Sequence, residues 1–490
     1  MADDLAQEMK ADDRRTVIYL GSKPNEVDFE SRRLVLRNLG ECSIVDPAVR
    51  AVIVNWTTNL NDVGERAQLT KWLNKHAPAN ARRGVLTIIV TTPDQQAFAQ
   101  HVVSHSCKDL EQVKVVTGAS YPAIAEAIAR YDCGAGPSSA LHMSYEDGVP
   151  LDFDKEIECL LRRAFFDFDQ IKLSRQIGGK SKIDGVWKIE AISSDKDLFS
   201  PFVVKCGPIR DIEEQIATYR DVVADRVPYR GCPPLCMDRS VKGATRQLAV
   251  SRFVENATRL DDVIKTRDAA DELRSIYPRL LERWRVEPEF KSVQVFPEYI
   301  DVATQSGWLA WLNATYALAG VKVLSPTQIF SKLNGIAAVL QPICRAHDDL
   351  NMRNVFICDG SGEVVLIDFT RASQKPLAKD CTRLDVGFGF DKELQSAQAI
   401  PKDVLVDFYT GDLFSISLGH RLAGSIAEYR LRAIEAIRMH YLDEARKCAM
   451  ELRQEYKIGV IAELLYHAGE QTPLGVLAYE CASSLTDGLQ

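Results

Sequence analysis

No apolar run in this sequence approaches the about 20 residues a helix needs to cross a bilayer. The N-terminal stretch Met-Ala-Asp-Asp-Leu-Ala-Gln-Glu-Met-Lys has no apolar core of the signal-peptide kind. Neither a membrane span nor an export signal is expected, and the expected location is the cytoplasm. Internal repeats and low-complexity tracts are also lacking. The 12 cysteines are scattered. The closest pair, Cys232 and Cys236 in Gly-Cys-Pro-Pro-Leu-Cys, has no second pair nearby to complete four metal ligands. Free thiols in a reducing compartment are expected. There is no excess of positive charge: 60 Lys and Arg against 68 Asp and Glu leave −8, which speaks against general nucleic-acid binding. What remains is ordinary globular composition, 46% hydrophobic and 26% charged. At about 150 residues per domain, the 490 residues suggest roughly three domain-sized units.

The first 130 or so residues alternate short apolar β-branched runs with amphipathic stretches. The runs Thr16–Leu20, Ala51–Val54, Val85–Val90 and Val113–Val116 read as strands. Helices are expected near Phe29–Leu39, Gly64–His76, Gln95–Val103 and Ala123–Tyr131. Continuously apolar strands separated by helices predict a parallel sheet covered on both faces, a small doubly wound domain over residues 1–135. The layout resembles a flavodoxin-like or receiver domain. A receiver carries a carboxylate at the end of its third strand, and here Asn55-Trp56 follows Ala51–Val54. The phosphoacceptor is therefore missing, and a docking role for a protein partner is the better expectation. Gly, Pro and Ser cluster in Cys133–Ala140 and mark a linker, assigned to residues 136–150.

The densest chemistry lies in Cys344–Arg371. His347, Asp349 and Asn354 share a short polar segment. Val355–Ile357 and Val364–Ile367 read as two strands around the turn Asp359-Gly360-Ser361-Gly362, and Asp368 ends the second strand. Two carboxylates and a carboxamide at neighbouring strand ends suit Mg²⁺, which takes few protein ligands together with substrate phosphates.

This segment resembles the catalytic and metal loops of the protein-kinase-like fold, in the aminoglycoside phosphotransferase and choline kinase branch. That branch reads His-Gly-Asp-x-x-x-x-Asn and then Ile-Asp-Phe/Trp. Here His347, Asp348, Asp349 and Asn354 keep the spacing, with Asp348 in place of Gly, and Leu366-Ile367-Asp368-Phe369 keeps the metal loop. The resemblance implies Asp349 as catalytic base, Asn354 and Asp368 as Mg²⁺ ligands, and His347 as a brace. It further implies a nucleotide, ATP or GTP, and a small-molecule or protein acceptor bearing a hydroxyl. Lys379–Asp385 is similar to a stretch that follows the metal loop in this branch, and to one in the kinase-like domain of bacterial ternary-complex-associated effectors.

The same resemblance asks for more residues upstream. Lys205, after Phe202-Val203-Val204, fits the strand lysine on the α/β-phosphates. Its helix partner is expected among Glu213 and Glu214 on a helix over 211–224, although Gln215 stands where related sequences often place the Glu. Gly178, Gly179 and Ser181 fit the phosphate-covering turn, with Lys182 a departure. Backbone groups near Phe253–Glu255, after the strand beginning at Leu248, fit the adenine contact. The implied architecture is an α+β bilobal domain, with an N-lobe over 151–256 and a helical C-lobe over 257–490. Near the C-terminus, Ile426–Tyr441 and Leu442–Tyr456 are expected as helices. Arg430, Arg432 and Arg438 are expected on a solvated face, and His420, His440 and His467 as ordinary structural histidines. The alternative is a nucleotide-binding signalling module, motivated by Asp348, Lys182 and the extra N-terminal domain.

Overall fold

The computed structural model describes residues 15–21, 23–24, 26–38, 49–56, 62–107, 110, 112–117, 121–131, 133–146, 154–175, 185–193, 199–285, 288–319, 323–397, 399–415, 425–448, 450 and 452–489. The chain divides into two compact units. The first holds residues 1–216 and 234–253; the second holds 217–233 and 254–490.

The first unit begins with five parallel strands: β1 (Thr16–Leu20), β2 (Val35–Asn38), β3 (Val49–Asn55), β4 (Leu86–Thr91) and β5 (Val113–Thr117). Their order is β2-β1-β3-β4-β5. β4, Leu-Thr-Ile-Ile-Val-Thr, is buried along its whole length, as a central parallel strand covered on both faces must be. Ile88 packs on one face with Phe29 of α1 (Glu26–Glu30) and Ile124 and Ile128 of α4 (Tyr121–Arg130). Ile89 packs on the other with Leu69 and Leu73 of α2 (Val63–Arg82) and Val102 of α3 (Gln96–Ser106). Asp62 starts α2 by accepting from the amides of Gly64 and Glu65, a cap contributing about 1 kcal/mol.

The expected helix at Phe29–Leu39 is instead a short helix followed by an edge strand. Arg33 takes φ +58° and ends the helix. Leu34 and Leu36 then point inward alternately, a strand period rather than a helix period.

The second sheet of this unit runs β10-β9-β8-β7-β6. Its strands are β6 (His142–Tyr145), β7 (Gln170–Arg175), β8 (Gly185–Ile192), β9 (Phe202–Pro208) and β10 (Arg246–Arg252). Leu160 and Leu161 of α5 (Lys155–Ala164) pack with Ile189, Phe202, Val204 and Leu248. The Gly-Pro-Ser segment does not hang between the sheets as a free tether. Arg163 is 4% exposed and donates to the carbonyls of Arg82 (2.8 Å), Cys133 (2.9 Å), Ala135 (3.1 Å) and Lys242 (2.7 Å). Arg82 closes α2, so one guanidinium ties that helix end to the segment and to the hairpin before β10. Gly84, at φ +69°, makes room: a Cβ there would lie 2.4 Å from Arg163 Nη2.

The second unit is mainly helical, with two small sheets, β11 (Ala257–Arg259)–β14 (Val355–Cys358)–β15 (Val364–Leu366) and β12 (Glu289–Val293)–β13 (Val339–Ala346)–β16 (Ser373–Pro376). Its helices include α6 (Val302–Leu318), α7 (Pro326–Asn334), α8 (Lys379–Phe390), α9 (Lys402–Thr410), α10 (Ile426–Lys447), α11 (Arg453–Ala468) and α12 (Pro473–Asp487). α8 runs through the core. Leu384, Val386 and Phe388 pack there with Ile434 of α10 and Ile458 and Ile461 of α11. The first of the two expected C-terminal helices runs on past Tyr441 to Lys447, and the next starts at Arg453.

Arg430 and Arg438 are not on a solvated face, being 0% and 1% exposed. Arg430 donates to the carbonyls of Phe388 and Gly389, filling acceptors that the last turn of α8 leaves open. Arg438 binds the carboxylate of Asp385. Arg432 is half exposed and pairs with Glu428 and Asp268. His440 stacks on Tyr277 at 4.3 Å, and burial lowers its pKa to about 3. Every described cysteine is a free thiol. Among the described residues, no helix is long and apolar enough to cross a membrane.

Candidate active site

In the second unit, β13 delivers the chain to His347, and a tight segment returns it through a single turn at Met352–Asn354 into the β14–β15 hairpin. The turn glycines Gly360 and Gly362 take φ +79° and +67°, values that a side-chain-bearing residue adopts rarely. The expected hairpin is thus present, and Asp368 stands just beyond its second strand in a left-handed conformation, φ +63°.

Hydrogen bonds fix this arrangement at four points. The buried carboxylate of Asp380, on the first turn of α8, accepts the amides of His347 (2.9 Å) and Asp348 (3.0 Å). Burial raises the pKa of Asp380, against the pull of His347, its amide and Arg285. His347, fully buried, places Nε2 2.9 Å from the carbonyl of Ile367. A carbonyl only accepts, so Nε2 carries the proton. The ring also packs on Phe369 at 4.7 Å. Asn354 donates Nδ2 to the Asp349 carbonyl at 2.9 Å. Its own carbonyl accepts the Ile367 amide at 3.0 Å. His347 and Asn354 therefore lash the polar segment to the backbone next to Asp368. Thr370 donates to Asp368 Oδ1 at 2.8 Å.

The donor set fits a hard cation. With Nδ2 committed to Asp349, the oxygen of the Asn354 carboxamide is its ligating end, and Asp368 offers a carboxylate. Among the described residues no group of three or more His, Cys, Asp or Glu could hold a metal ion. Two protein oxygens of this kind are a donor set that Mg²⁺ would accept.

A layer of charge lies behind the two adjacent aspartates. Glu463 on α11 meets Lys379 at 3.1 Å and Arg383 at 2.7 Å, both on α8. Lys379 faces Asp348 at 3.7 Å, and Arg383 faces Asp349 at 3.4 Å. Burial works to raise the Glu463 carboxyl, but the two cations outweigh it and hold the pKa at about 2. Asp348, φ +58°, also accepts from Ser373 Oγ at 3.2 Å. None of Lys379, Arg383 or Glu463 was singled out from sequence as a site residue. The available signal was their spacing: 379 and 383 are one helical turn apart and share a face.

The remaining expected residues lie elsewhere in the chain. Lys205 sits half-buried in β9, paired in register with Ala249 and Val186. The helix after it spans Ile209–Thr218 and continues as a wider turn over Tyr219–Val223. Glu214 is exposed on this helix and makes no ion pair with Lys205 among the described residues, while Glu213 is held by Lys242 at 2.8 Å. Phe253 donates its amide to the Pro201 carbonyl at 2.8 Å, and its ring lies 5.2 Å from the Lys188 ammonium. Glu255 is exposed beyond β10. Gly178, Gly179, Ser181 and Lys182 fall outside the described residues.

The chain matches no protein-family model and no curated protein sequence. Several solved structures match at low identity. An ethanolamine kinase from Plasmodium vivax is 11% identical over 63% of this chain and 82% of its own, with a TM-score of 0.34. An aminoglycoside phosphotransferase from Streptomyces rimosus is 15% identical over 54% of this chain and 92% of its own, TM-score 0.27. A spectinomycin phosphotransferase, solved with ADP and spectinomycin, is 14% identical over 61% of this chain and 93% of its own, TM-score 0.30.

Proposed function

We propose that this chain is a magnesium-dependent phosphotransferase of the aminoglycoside phosphotransferase and choline kinase-like type. It moves the γ-phosphoryl group of ATP or GTP to a hydroxyl of a small-molecule or protein acceptor. One observation carries the reading: hydrogen bonds join the loop of Asp349 through Asn354 to Ile367, the residue before Asp368, with the amides of His347 and Asp348 anchored on the buried Asp380.

In this reading Asp349 accepts the proton of the acceptor hydroxyl and orients it toward the phosphorus. Asn354 and Asp368 would hold Mg²⁺, which neutralises phosphate charge when bound. Lys205 adds positive charge at the nucleotide phosphates, and backbone groups near Phe253 and Glu255 receive the base. His347 keeps the loop in register with the strand before Asp368. Positioning and charge neutralisation account for the catalysis. Residues 151–256 and 257–490 serve as the N-lobe and the helical C-lobe of a kinase-like domain.

A second reading has one observation in its favour. Arg163 ties the parallel-sheet domain to the β6–β10 part of the chain through buried hydrogen bonds, as a signal-passing domain would need. On this reading residues 1–135 form a receiver-like docking domain, without a phosphoacceptor since β3 ends in Asn55. The nucleotide then acts as a switch.

Mass spectrometry of the full chain incubated with ATP and Mg²⁺, with and without cell extract, separates the two. A phosphorylated acceptor, with ATP consumed, is the expected result. Tight Mg–ATP binding with no phosphorylated product would favour the switch.

A further inference from the structure

We infer that Arg383 is a positioning residue for the carboxylate of Asp349, and that Glu463 and Lys379 complete a buried clamp holding both loop aspartates. The inference rests on the phosphotransferase reading in treating Asp349 as the base.

Asp348 and Asp349 are adjacent carboxylates, and Glu463 lies behind them. Three acids so close together repel one another strongly where water is scarce. Lys379 and Arg383 answer that repulsion from one face of α8. Each cation touches Glu463 on one side and one loop aspartate on the other. The lysine and arginine side chains are only 10% and 17% exposed, and that of Glu463 is 5% exposed. Their mutual contacts are therefore weakly screened, and their geometry is fixed by packing.

Arg383 is held more firmly than it holds. Its Nη1 bonds Glu463 at 2.7 Å, and the guanidinium lies 4.5 Å over the ring of Tyr466. Only Nη2 reaches Asp349, at 3.4 Å from Oδ1. The Asp349 side chain keeps 25% of its surface exposed, so Arg383 constrains its rotation from behind while leaving it open to an acceptor. The clamp also accounts for Asp348, which departs from the glycine of the resembled motif. Its charge meets Lys379 and its second oxygen meets Ser373, so the departure is built into the site.

The test uses the full chain, Mg–ATP and water as the phosphoryl acceptor, comparing wild type with R383M and R383K. R383M is expected to lower kcat about 10–100-fold, because a small misplacement of a catalytic group is enough to cost that much. The KM for ATP should stay within about twofold, since the residues assigned to the nucleotide are untouched. R383K should recover part of kcat, because an ammonium supplies the charge without the fork. Wild-type kcat in R383M would overturn the inference. So would kcat, KM and melting temperature deteriorating together in both variants, the mark of a merely structural residue. No phosphorylated product from the wild-type chain with ATP, Mg²⁺ and cell extract would refute the phosphotransferase reading instead. Hydrogen exchange then decides the clamp: faster exchange of the 347–354 amides in R383M and E463Q supports it, and unchanged exchange overturns it.

Discussion

Asp349→Asn is expected to slow phosphoryl transfer by about 10²–10⁴-fold, the usual contribution of a positioned general base, and to leave Mg–nucleotide binding in place. The substitution keeps the shape of the side chain and an oxygen that Arg383 can still reach, but it removes the carboxylate proposed to accept the hydroxyl proton. The nucleotide residues are assigned elsewhere, to Asn354, Asp368 and Lys205. The main-chain carbonyl of Asp349, which orients the Asn354 carboxamide, is unaffected by the change. Turnover measured beside a calorimetric nucleotide titration separates the two effects. Wild-type turnover in the variant would remove Asp349 from the chemistry.

The second large effect falls on stability. Arg438 and Asp385 are 1% and 0% exposed at the side chain, and Arg438 Nε lies 2.6 Å from Asp385 Oδ2. Arg438 Nη1 also donates to the carbonyls of Phe408 and Leu413. The hydroxyls of Tyr456 and Tyr409 complete the carboxylate's shell at 2.6 and 2.8 Å. Arg438→Met would leave that carboxylate buried with hydroxyl partners only, at a cost of about 3–5 kcal/mol. Replacing both partners with apolar residues of similar volume should cost less than Arg438→Met alone, because the penalty comes from the orphaned charge. Urea denaturation of the single and double variants measures both. A loss below about 1 kcal/mol in Arg438→Met, the size of an ordinary surface effect, would show that the pair is not what holds α8 to α10.

Much of this fold is legible in sequence, for physical reasons that differ by element. The strands β1, β3 and β4 announce themselves as continuous apolar runs because both their faces are covered, while the edge strand β5 is read from its three valines around the exposed Lys114. β2 does not. It is a four-residue edge strand with one inward face, and Phe29, Arg33 and Leu36 happen to fall near helical spacing until Arg33 turns left-handed. The hairpin after Asn354 is legible because Gly360 and Gly362 must take positive φ. Arg430 and Arg438 mislead because charge normally marks a solvated face. Their partners, α8 carbonyls and Asp385, lie some 40 and 50 residues away in sequence, where no local period reveals them. The charge layer of Lys379, Arg383 and Glu463 is hidden for the same reason. Two of its members share a helical face, but the third comes from α11.

The central claim is that Asn354 and Asp368 present a magnesium–nucleotide complex to Asp349. The measurement that tests it most directly is calorimetric titration of ATP into wild type and D368A, with and without Mg²⁺. The account predicts that Mg²⁺ tightens ATP binding to wild type and that D368A loses this dependence. Mg²⁺-independent binding to wild type, or an unchanged Mg²⁺ effect in D368A, would contradict it.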